Sequence, residues 1–379
     1  MVEFPMGDGE MKDILEWLVT VEDPRQQAKV KHTMRDIIAL VFFAELANAS
    51  DWTDIELFAD AHEEVLREYL ELPHGIPSHD TIQRVFSMLS PKYLQEFRNR
   101  WNEIMSAPAG NKIKKILALD GKTQRGNASG KQKANHIVSA VDNDGFCLGE
   151  VLVDDKSNEI TAFPELLQAL NIKNHIVTID AIGCQTDIAK RIRKGRADYM
   201  LALKKNQCTL YEDVALYFGD QKLRDGSAYH KKVDKAHSAV EIREYWQTAD
   251  IGWLPQKKAW AGLASIVMTK NTVIKGETTT TQTRYFISSL PVNVKEAART
   301  IRSHWMVESY HWHLDVTFRE DADHTLDKVA AYNLNIIRKM ALNTLRLLDL
   351  GMGKKVSMKG KRFVLSLKFR RYLDALMSL

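Results

Sequence analysis

Two aspartates in the sequence each end a short apolar run that is predicted to be a buried strand. Asp120 is the last residue of ILALD (116–120), and Asp180 is the last residue of IVTID (176–180). Because ligand sites in an open α/β sheet lie beyond the carboxyl ends of its strands, these two acids would lie close together. Two carboxylates a few ångströms apart repel each other unless a cation lies between them, and oxygen ligands suit Mg²⁺. The alternative is that each aspartate only caps the turn that follows it.

A third carboxylate is expected from a helix predicted over Val294 to Phe318. At about 100° per residue, Glu308 falls on one face of this helix with four other residues. These are Ile301, Trp305, Trp312 and Asp315. A carboxylate on an otherwise apolar, sheet-facing stripe needs a partner, which a metal shared with Asp120 and Asp180 would supply. The alternative partner is a nearby Arg or Trp N–H. The histidines of this helix are interpreted as packing or DNA contacts rather than metal ligands: His304, His311 and His313.

The elements that would position these acids follow one another in an order that suits a mixed α/β sheet with helices on its faces. A strand and a two-stranded hairpin come first, and a helix, a strand, a helix and a strand follow. The predicted strands are Ile116 to Asp120, His136 to Val141, Phe146 to Val153, His175 to Asp180 and Tyr199 to Lys204. The predicted helices between them are Glu159 to Leu170 and Gln185 to Arg193.

The regions on either side of this core have a different character. The N-terminal helices are predicted over Lys12 to Val21, Met34 to Ala49, Asp54 to Leu72 and Ser78 to Leu89, with one more opening at Ser90-Pro91. Strand-like pieces recur between residues 206 and 290, at Ala239 to Thr248, Lys258 to Met268 and Thr280 to Ser288. A helix predicted over Ala330 to Leu350 precedes a tail, residues 354–371, that carries eight Lys or Arg and no acid.

Composition is that of an ordinary globular protein, with 45% hydrophobic and 27% charged residues and a formal net charge of +4. This mild excess is compatible with nucleic acid binding but does not require it. The sequence predicts no signal peptide and no membrane span, because the most apolar window, Ile37 to Ala49, is too short and contains Glu45. That window is predicted as a buried helix. The three cysteines match no zinc or disulfide pattern, so a cytoplasmic, nucleoid-associated protein is expected.

Several motifs in order along the chain resemble one known family. They are GIPSHDTIQRVF (75–86), DGKT (120–123), EITAFPELL (159–167), TIDAIGCQ (178–185), ALKKNQ (202–207) and HWMVESYHWHLDVTFRED (304–321). Together they resemble the H-repeat-associated, Rhs-linked transposases of bacterial insertion sequences, over roughly residues 20 to 350. The resemblance implies a ribonuclease-H-like core with an Asp-Asp-Glu triad and a β-rich insertion before the last acid.

The resemblance assigns the triad to Asp120, Asp180 and Glu308, with Glu320 as the fallback for the third acid. It implies Mg²⁺ or Mn²⁺ as cofactor, with one metal activating the nucleophile and the other stabilising the leaving oxygen. The partners it implies are double-stranded DNA, as transposon ends and target, and a second copy of the chain, since two ends are joined. The expected division is a helical N-terminal domain (1–107), a catalytic core in two parts (108–205 and 291–350), the insertion (206–290) and a basic tail (351–379).

Candidate DNA contacts fall in three places. Lys122 and Lys204 or Lys205 are predicted to contact phosphates near the triad. Arg84 lies on a helix whose polar opening, from Ser78, is typical of a recognition helix in the major groove. The basic tail contributes Lys354, Lys355, Lys359, Lys361 and Arg362. The alternative for each group is a solvated surface charge or a plain helical bundle.

The sequence also departs from the family pattern. Ser309-Tyr310 follows Glu308 where many relatives have Asn, and the basic positions of the wider superfamily's signature helix are occupied by His304 and Asp315. In the insertion, residues 237–243 lack the Gly-Arg pair of many relatives. Two other functions therefore stay open: a DNA-binding protein descended from a transposase that no longer cleaves, and a structure-selective nuclease on the same fold that does not join strands.

Overall fold

The structure is a computed structural model that describes residues 11–26, 28, 30–105, 115–130, 132–154, 156–236 and 239–377. The predicted boundary at residue 107 and the first two positions of the insertion motif, His237 and Ser238, lie outside the described residues. None of the helices in the described ranges combines the length and the apolar content that a membrane span requires.

A mixed sheet of nine strands, counted over the described ranges, forms the centre of the fold. The strands are β1 (Ile116–Thr123), β2 (His136–Asp142), β3 (Cys147–Leu152), β4 (Ile176–Ile179), β5 (Asp198–Leu203), β6 (Ala228–Ala236), β7 (Ala239–Thr248), β8 (Ser265–Lys275) and β9 (Thr278–Ser288). Their order is β3-β2-β1-β4-β5-β9-β8-β7-β6. Strands β1, β4 and β5 are parallel to one another, and the other neighbours are antiparallel. The predicted mixed α/β sheet is confirmed.

The predicted insertion continues this sheet, because β9 pairs with β5 and leads outward to β8, β7 and β6. The sequence prediction missed β6 and the two helices that precede it, α9 (Cys208–Gly219) and α10 (Gln221–Asp225). The strand predicted over Lys258 to Met268 begins later than expected, because residues 255–259 form a 3₁₀ turn and β8 begins at Ser265. Strand β9 is exposed from Thr278 to Arg284, so the outer part of the β8–β9 hairpin lies beyond the buried sheet.

Helices cover both faces of the core sheet. One face packs against α7 (Glu159–Ala169), α8 (Thr186–Lys194) and α9, which bury Leu117 and Leu119 of β1. The other face packs against α11 (Val294–Ser303) and α12 (Trp305–Trp312). Since side chains alternate along a strand, Ile116 and Ala118 point to this second face.

The N-terminal and C-terminal helices share one hydrophobic core. The N-terminal helices are α1 (Met11–Val19), α2 (Met34–Leu46), α3 (Trp52–Ala61), α4 (Glu63–Leu66), α5 (His79–Met88) and α6 (Pro91–Met105). The C-terminal helices are α13 (Lys328–Leu347), α14 (Met358–Leu367) and α15 (Phe369–Met377). Helix α13 contacts α2, α5 and α6 more extensively than it contacts the sheet. The predicted buried helix is confirmed as α2, whereas the helix predicted over Asp54 to Leu72 breaks at His62.

Most of the predicted basic tail forms the helices α14 and α15, and two of its five predicted DNA contacts are wrong. Arg362 is fully buried, and its guanidinium donates to the carbonyl oxygens of Glu45 (3.0 Å) and Ala49 (2.6 Å). Lys361 Nζ donates to two carbonyl oxygens at the end of α13, each at 2.6 Å. The side chains of Lys361 and Arg362 are therefore used to close the helical core. Lys354, Lys355 and Lys359 are exposed.

Candidate active site

Asp120 and Asp180 occupy equivalent positions on neighbouring strands. The parallel pairing of β1 with β4 ends at Leu119 opposite Ile179, and each aspartate is the next residue. Strand β1 continues to Thr123 along β2, so Asp120 lies within its strand and not at the strand end as predicted. Alternation places Asp120 on the sheet face that α11 and α12 cover.

Glu308 reaches the same place from α12. A cavity of about 360 Å³ is lined by Asp120, Asp180 and Glu308 together, although they are up to 188 positions apart in the sequence. Lys204 and Arg284 line the same cavity, so it combines acidic and basic side chains. The three predicted acids are therefore brought together in one concave site.

The charge of Asp120 affects the pKa values of the other two carboxylates in the cavity. Burial raises the pKa of Asp180 above its usual range, and the charge of Asp120 raises it further, while the N–H of Ile182 opposes the shift. Burial likewise raises the pKa of Glu308, and Asp120 again adds to the shift against the opposing charge of Arg284. Both shifts have the sign expected for partly buried carboxylates that lie near another carboxylate.

Asp180 also caps the turn that follows it. Its Oδ1 accepts a hydrogen bond from the N–H of Ile182 at 3.1 Å, at the start of a 3₁₀ turn. Asn206 Nδ2 and Gln207 Nε2 donate to the carbonyl oxygens of Ala181 (2.6 Å) and Cys184 (3.0 Å) in the same segment. The capping alternative is therefore observed for Asp180, but it coexists with the position of Asp180 in the cavity wall. The last two residues of the ALKKNQ motif, Asn206 and Gln207, therefore stabilise this turn through side-chain hydrogen bonds.

The predicted orientation of the Glu308 helix is wrong. Trp305 and Trp312 are 41% and 55% exposed, and Glu308 is also exposed, so the predicted stripe faces the cavity and the surface. The helix breaks at His304 and ends in a π-helical turn, His313–Thr317, so only Trp305, Glu308 and Trp312 of the predicted stripe lie on the regular helix α12. The buried side of α12 instead carries Val307, Tyr310 and His311. Glu308 therefore does not lie in a buried apolar stripe, although partial burial of its carboxyl in the cavity wall raises its pKa.

Two histidines of this region contact the site more closely than the sequence indicated. His311 Nδ1 lies 3.5 Å from Asp120 Oδ2, and its buried Nε2 has no hydrogen-bond partner among the described residues. His304 Nδ1 lies 3.0 Å from the hydroxyl of Thr178 on β4. The signal for His311 was its spacing of three residues from Glu308, which places both on adjacent turns of one helix.

Gly121, the second residue of the DGKT motif, packs closely against two side chains. A Cβ at this position would collide with the carboxylate of Glu159 and the ring of His136. Those two side chains form a hydrogen bond of 2.7 Å beside Asp120. Glu159, the first residue of the EITAFPELL motif, also raises the pKa of Asp180, which links two motifs that the sequence could not connect.

Lys122 is not available as a phosphate contact, so that prediction is wrong. Only 9% of its side chain is exposed, and its Nζ lies 2.7 Å from Asp315 Oδ1, 2.6 Å from Glu320 Oε2 and 3.4 Å from Asp321 Oδ1. Glu320, the fallback for the third acid, is buried in this cluster and does not line the cavity. It accepts further hydrogen bonds from Gln124 and Asn335. The pair of Lys122 and Glu320 ties β1 to the segment that follows α12.

The Lys122–Glu320 pair gives a pH-dependent prediction. Although burial opposes the shift, the charges of Lys122 and Arg338 lower the pKa of Glu320 to about 2, below its ordinary value of 4.5. A carboxyl with a depressed folded-state pKa stabilises the fold above its unfolded pKa, and this contribution is lost as the pH falls. We expect Glu320→Gln to lower the free energy of unfolding at pH 7, and the deficit relative to the unaltered chain to shrink as pH falls below 4.5. Urea unfolding across this pH range measures it, and a deficit that stays constant would contradict the pairing.

The cavity suits a divalent cation by the chemistry of its donors. Asp120, Asp180 and Glu308 offer carboxylate oxygens, which Mg²⁺ and Mn²⁺ prefer. In the part of the chain that the structure describes, no three His, Cys, Asp or Glu side chains are gathered as a complete ligand cluster. Asp120 lies near enough to Asp180 and Glu308 to add to the raised pKa of each, and a cation bound among the three carboxylates would offset that repulsion.

Comparisons with known proteins identify two matching regions. Residues 15–102 match the family model described as DDE_Tnp_1-associated, and residues 111–344 match the model described as Transposase DDE domain. The chain is 37% identical over 350 residues to "Putative transposase YncI" of Escherichia coli O157:H7, covering 89% of this chain and 88% of that protein. It is 35% identical over 347 residues to "H repeat-associated putative transposase YhhI" of Escherichia coli K12, covering 89% and 91%.

These matches confirm the family resemblance that the motifs indicated, and with it the fold. The hairpin-linked β1, β2 and β3 followed by the parallel β4 and β5 form a ribonuclease-H-like core, preceded by a helical N-terminal region. The matched regions include Asp120, Asp180 and Glu308. The chain therefore belongs to the DDE transposase family.

Proposed function

We propose that this chain cleaves DNA at the ends of an insertion sequence and transfers the strands to a target, with Asp120, Asp180 and Glu308 as its catalytic acids. The observation that carries the proposal is the convergence of these three side chains on one cavity. Family membership alone supports a transposase but assigns no residue.

The three carboxylates would hold the divalent metal ions, Mg²⁺ or Mn²⁺, that such a reaction uses. When bound, these ions activate the attacking oxygen and stabilise the leaving oxygen. The role of Asp120, Asp180 and Glu308 would be to hold these ions where the scissile phosphate binds. His311, 3.5 Å from Asp120, would restrain the orientation of that carboxylate. Lys204, which is exposed and lines the cavity, would contact a phosphate oxygen.

The remaining predicted DNA contacts stay proposals. They are exposed cations: Arg84 on α5, Lys205 next to Lys204, and Lys354, Lys355 and Lys359 near α14. The lysines among them are expected to contact phosphates, which positions a duplex without reading its sequence. Because two element ends must be brought together, we also propose that at least two copies of the chain act on DNA.

Helix α5 provides a prediction about sequence reading. Its first turn carries exposed or half-exposed polar side chains, and Arg84 projects to solvent one turn further on. We expect Arg84→Gln to weaken binding to the DNA flanking the gene by about tenfold and to weaken binding to random DNA less, as loss of a base contact requires. The measurement uses the full chain, since the N-terminal helices share their core with α13 to α15. An equal loss for both DNAs would assign Arg84 to the backbone.

The proposed function is tested with duplexes that carry the DNA flanking the gene. We expect nicking at the element boundary with Mg²⁺ or Mn²⁺, no nicking with a chelator, and joining of the released end to a plasmid. Nicking without joining would replace the proposal with a nuclease. Specific binding without nicking would replace it with a DNA-binding protein that no longer cleaves.

A further inference from the structure

A second concave surface lies beside the acid cavity, between α11 and the outer strands β6 and β7. This surface, here called the basic groove, has a volume of about 560 Å³. Six basic side chains line it: His230, Lys232, Arg243, Lys295, Arg299 and Arg302. Among the described residues that line the groove there is no Asp or Glu. Asp234, Glu241 and Glu296 form ion pairs with Lys232, Arg243 and Arg299 from outside the groove, and the positive charge that Lys295 and Arg302 add would attract an anionic partner.

The groove is built from side chains that are held in place or presented to solvent. Arg243 on β7 is fixed by ion pairs with Asp234 (2.5 Å) and Glu241 (2.9 Å), neither of which lines the groove. Lys295 and Arg302 project from the exposed side of α11. Lys232 is exposed on β6, 3.6 Å from Asp234. The two walls therefore present cations to the same space from different elements.

The basic groove continues into the acid cavity through Trp305. This residue lines both spaces and is 41% exposed. The guanidinium of Arg302, which lines the groove, lies 5.8 Å from the centroid of its ring, and that of Arg284, which lines the acid cavity, lies 5.5 Å from it. Cation–π contacts of this length order both guanidinium groups at the junction. Arg302 and Arg284 thus place positive charge on both sides of Trp305, while Glu241 and Glu244 line the adjoining space.

We infer that the basic groove binds the phosphate backbone of the DNA segment next to the cleaved bond. The inference rests on the proposed function, since continuity with the acid cavity is what favours DNA over another polyanion. DNA carries regularly spaced charge, so a line of cations fits it better than it fits a compact anion. Strands β6 and β7 of the insertion would then serve as one wall of the DNA path.

The test compares two triple variants of the full chain. Lys232→Gln, Lys295→Gln and Arg302→Gln remove charge from the groove. The matched control, Lys173→Gln, Lys190→Gln and Lys194→Gln, removes the same charge from exposed positions around α8, on the opposite face of the sheet. Affinity for a short duplex of random sequence is measured across a salt series without divalent metal. We expect the groove variant to bind more weakly and its log–log salt slope to become shallower by up to about three.

Two results would overturn the inference: a groove variant that keeps the slope of the unaltered chain, or a control that loses as much as the groove variant. Thermal unfolding checks that both variants fold. Exchanging Lys for Arg, and Arg for Lys, at the three groove positions should retain binding, because the charge stays. The readout is independent of cleavage. A chain that never nicks DNA would contradict the proposed function, while its groove variant would still report whether the groove binds the backbone.

Discussion

We expect Asp120→Asn, Asp180→Asn and Glu308→Gln each to reduce DNA cleavage by at least about a thousandfold, because each removes a charged oxygen donor from one shared site. The affinity for the DNA that flanks the gene should stay within about twofold of that of the unaltered chain. Without metal the acids contribute no attraction to phosphate, so their replacement removes no favourable contact. Cleavage rates under single-turnover conditions with Mg²⁺ measure the first effect, and binding without metal measures the second.

Two further comparisons sharpen this prediction. A double variant of Asp120 and Asp180 should be no worse than either single variant, because residues that act as one unit have non-additive effects. Glu165→Gln, at an exposed position on α7, is the matched control and should leave cleavage unchanged. Substantial cleavage by Glu308→Gln, together with its loss in a folded Glu320→Gln variant, would mean that Glu320 is the third acid.

The second large effect concerns the buried charges that join the two ends of the chain. Arg362 donates to Glu45, Ala49 and Thr317, and its guanidinium lies 4.1 Å from the centroid of the Phe318 ring. Arg362→Met would leave buried acceptors and the Glu45 carboxylate with fewer partners. We expect the free energy of unfolding to fall by about 3–5 kcal/mol, as for other broken buried ion pairs.

The control for this variant is Lys359→Met on the same helix. Lys359 is exposed, so its replacement should change the free energy of unfolding by no more than about 0.5 kcal/mol. Urea unfolding of both variants provides the comparison. If Arg362→Met were as stable as Lys359→Met, α14 would not be anchored in the helical core through Arg362.

The core strands were predictable because their local signals agree with their final environment. Strands β4 and β5 are buried on both faces, and such strands appear in a sequence as continuous apolar runs bounded by turns. Asp120 and Asp180 were found through the same runs, since each directly follows one. The turn at residues 142–145 was predicted for a similar local reason: Asp142 Oδ1 accepts two backbone N–H bonds there.

What the sequence did not predict depends on contacts between distant residues. Lysine is usually a surface residue, and the burial of Lys122 is explained only by acidic partners almost 200 positions away in the sequence. Arg362 belongs to a run of basic residues, but it is buried in an ion pair with Glu45, which lies 317 positions earlier in the sequence. Glu308 was placed on the correct helix and given the wrong surroundings, because helical spacing identifies a shared face but not whether that face packs on the sheet or lines a cavity.

The central claim is that Asp120, Asp180 and Glu308 form one metal site for phosphoryl transfer. The most direct test is anomalous diffraction from crystals of the full chain soaked in Mn²⁺. The account predicts anomalous density in the cavity between these three carboxylates, and its loss in Asp120→Asn crystals. Density at the other carboxylate cluster, formed by Asp315, Glu320 and Asp321 around Lys122, with none in the cavity, would contradict it.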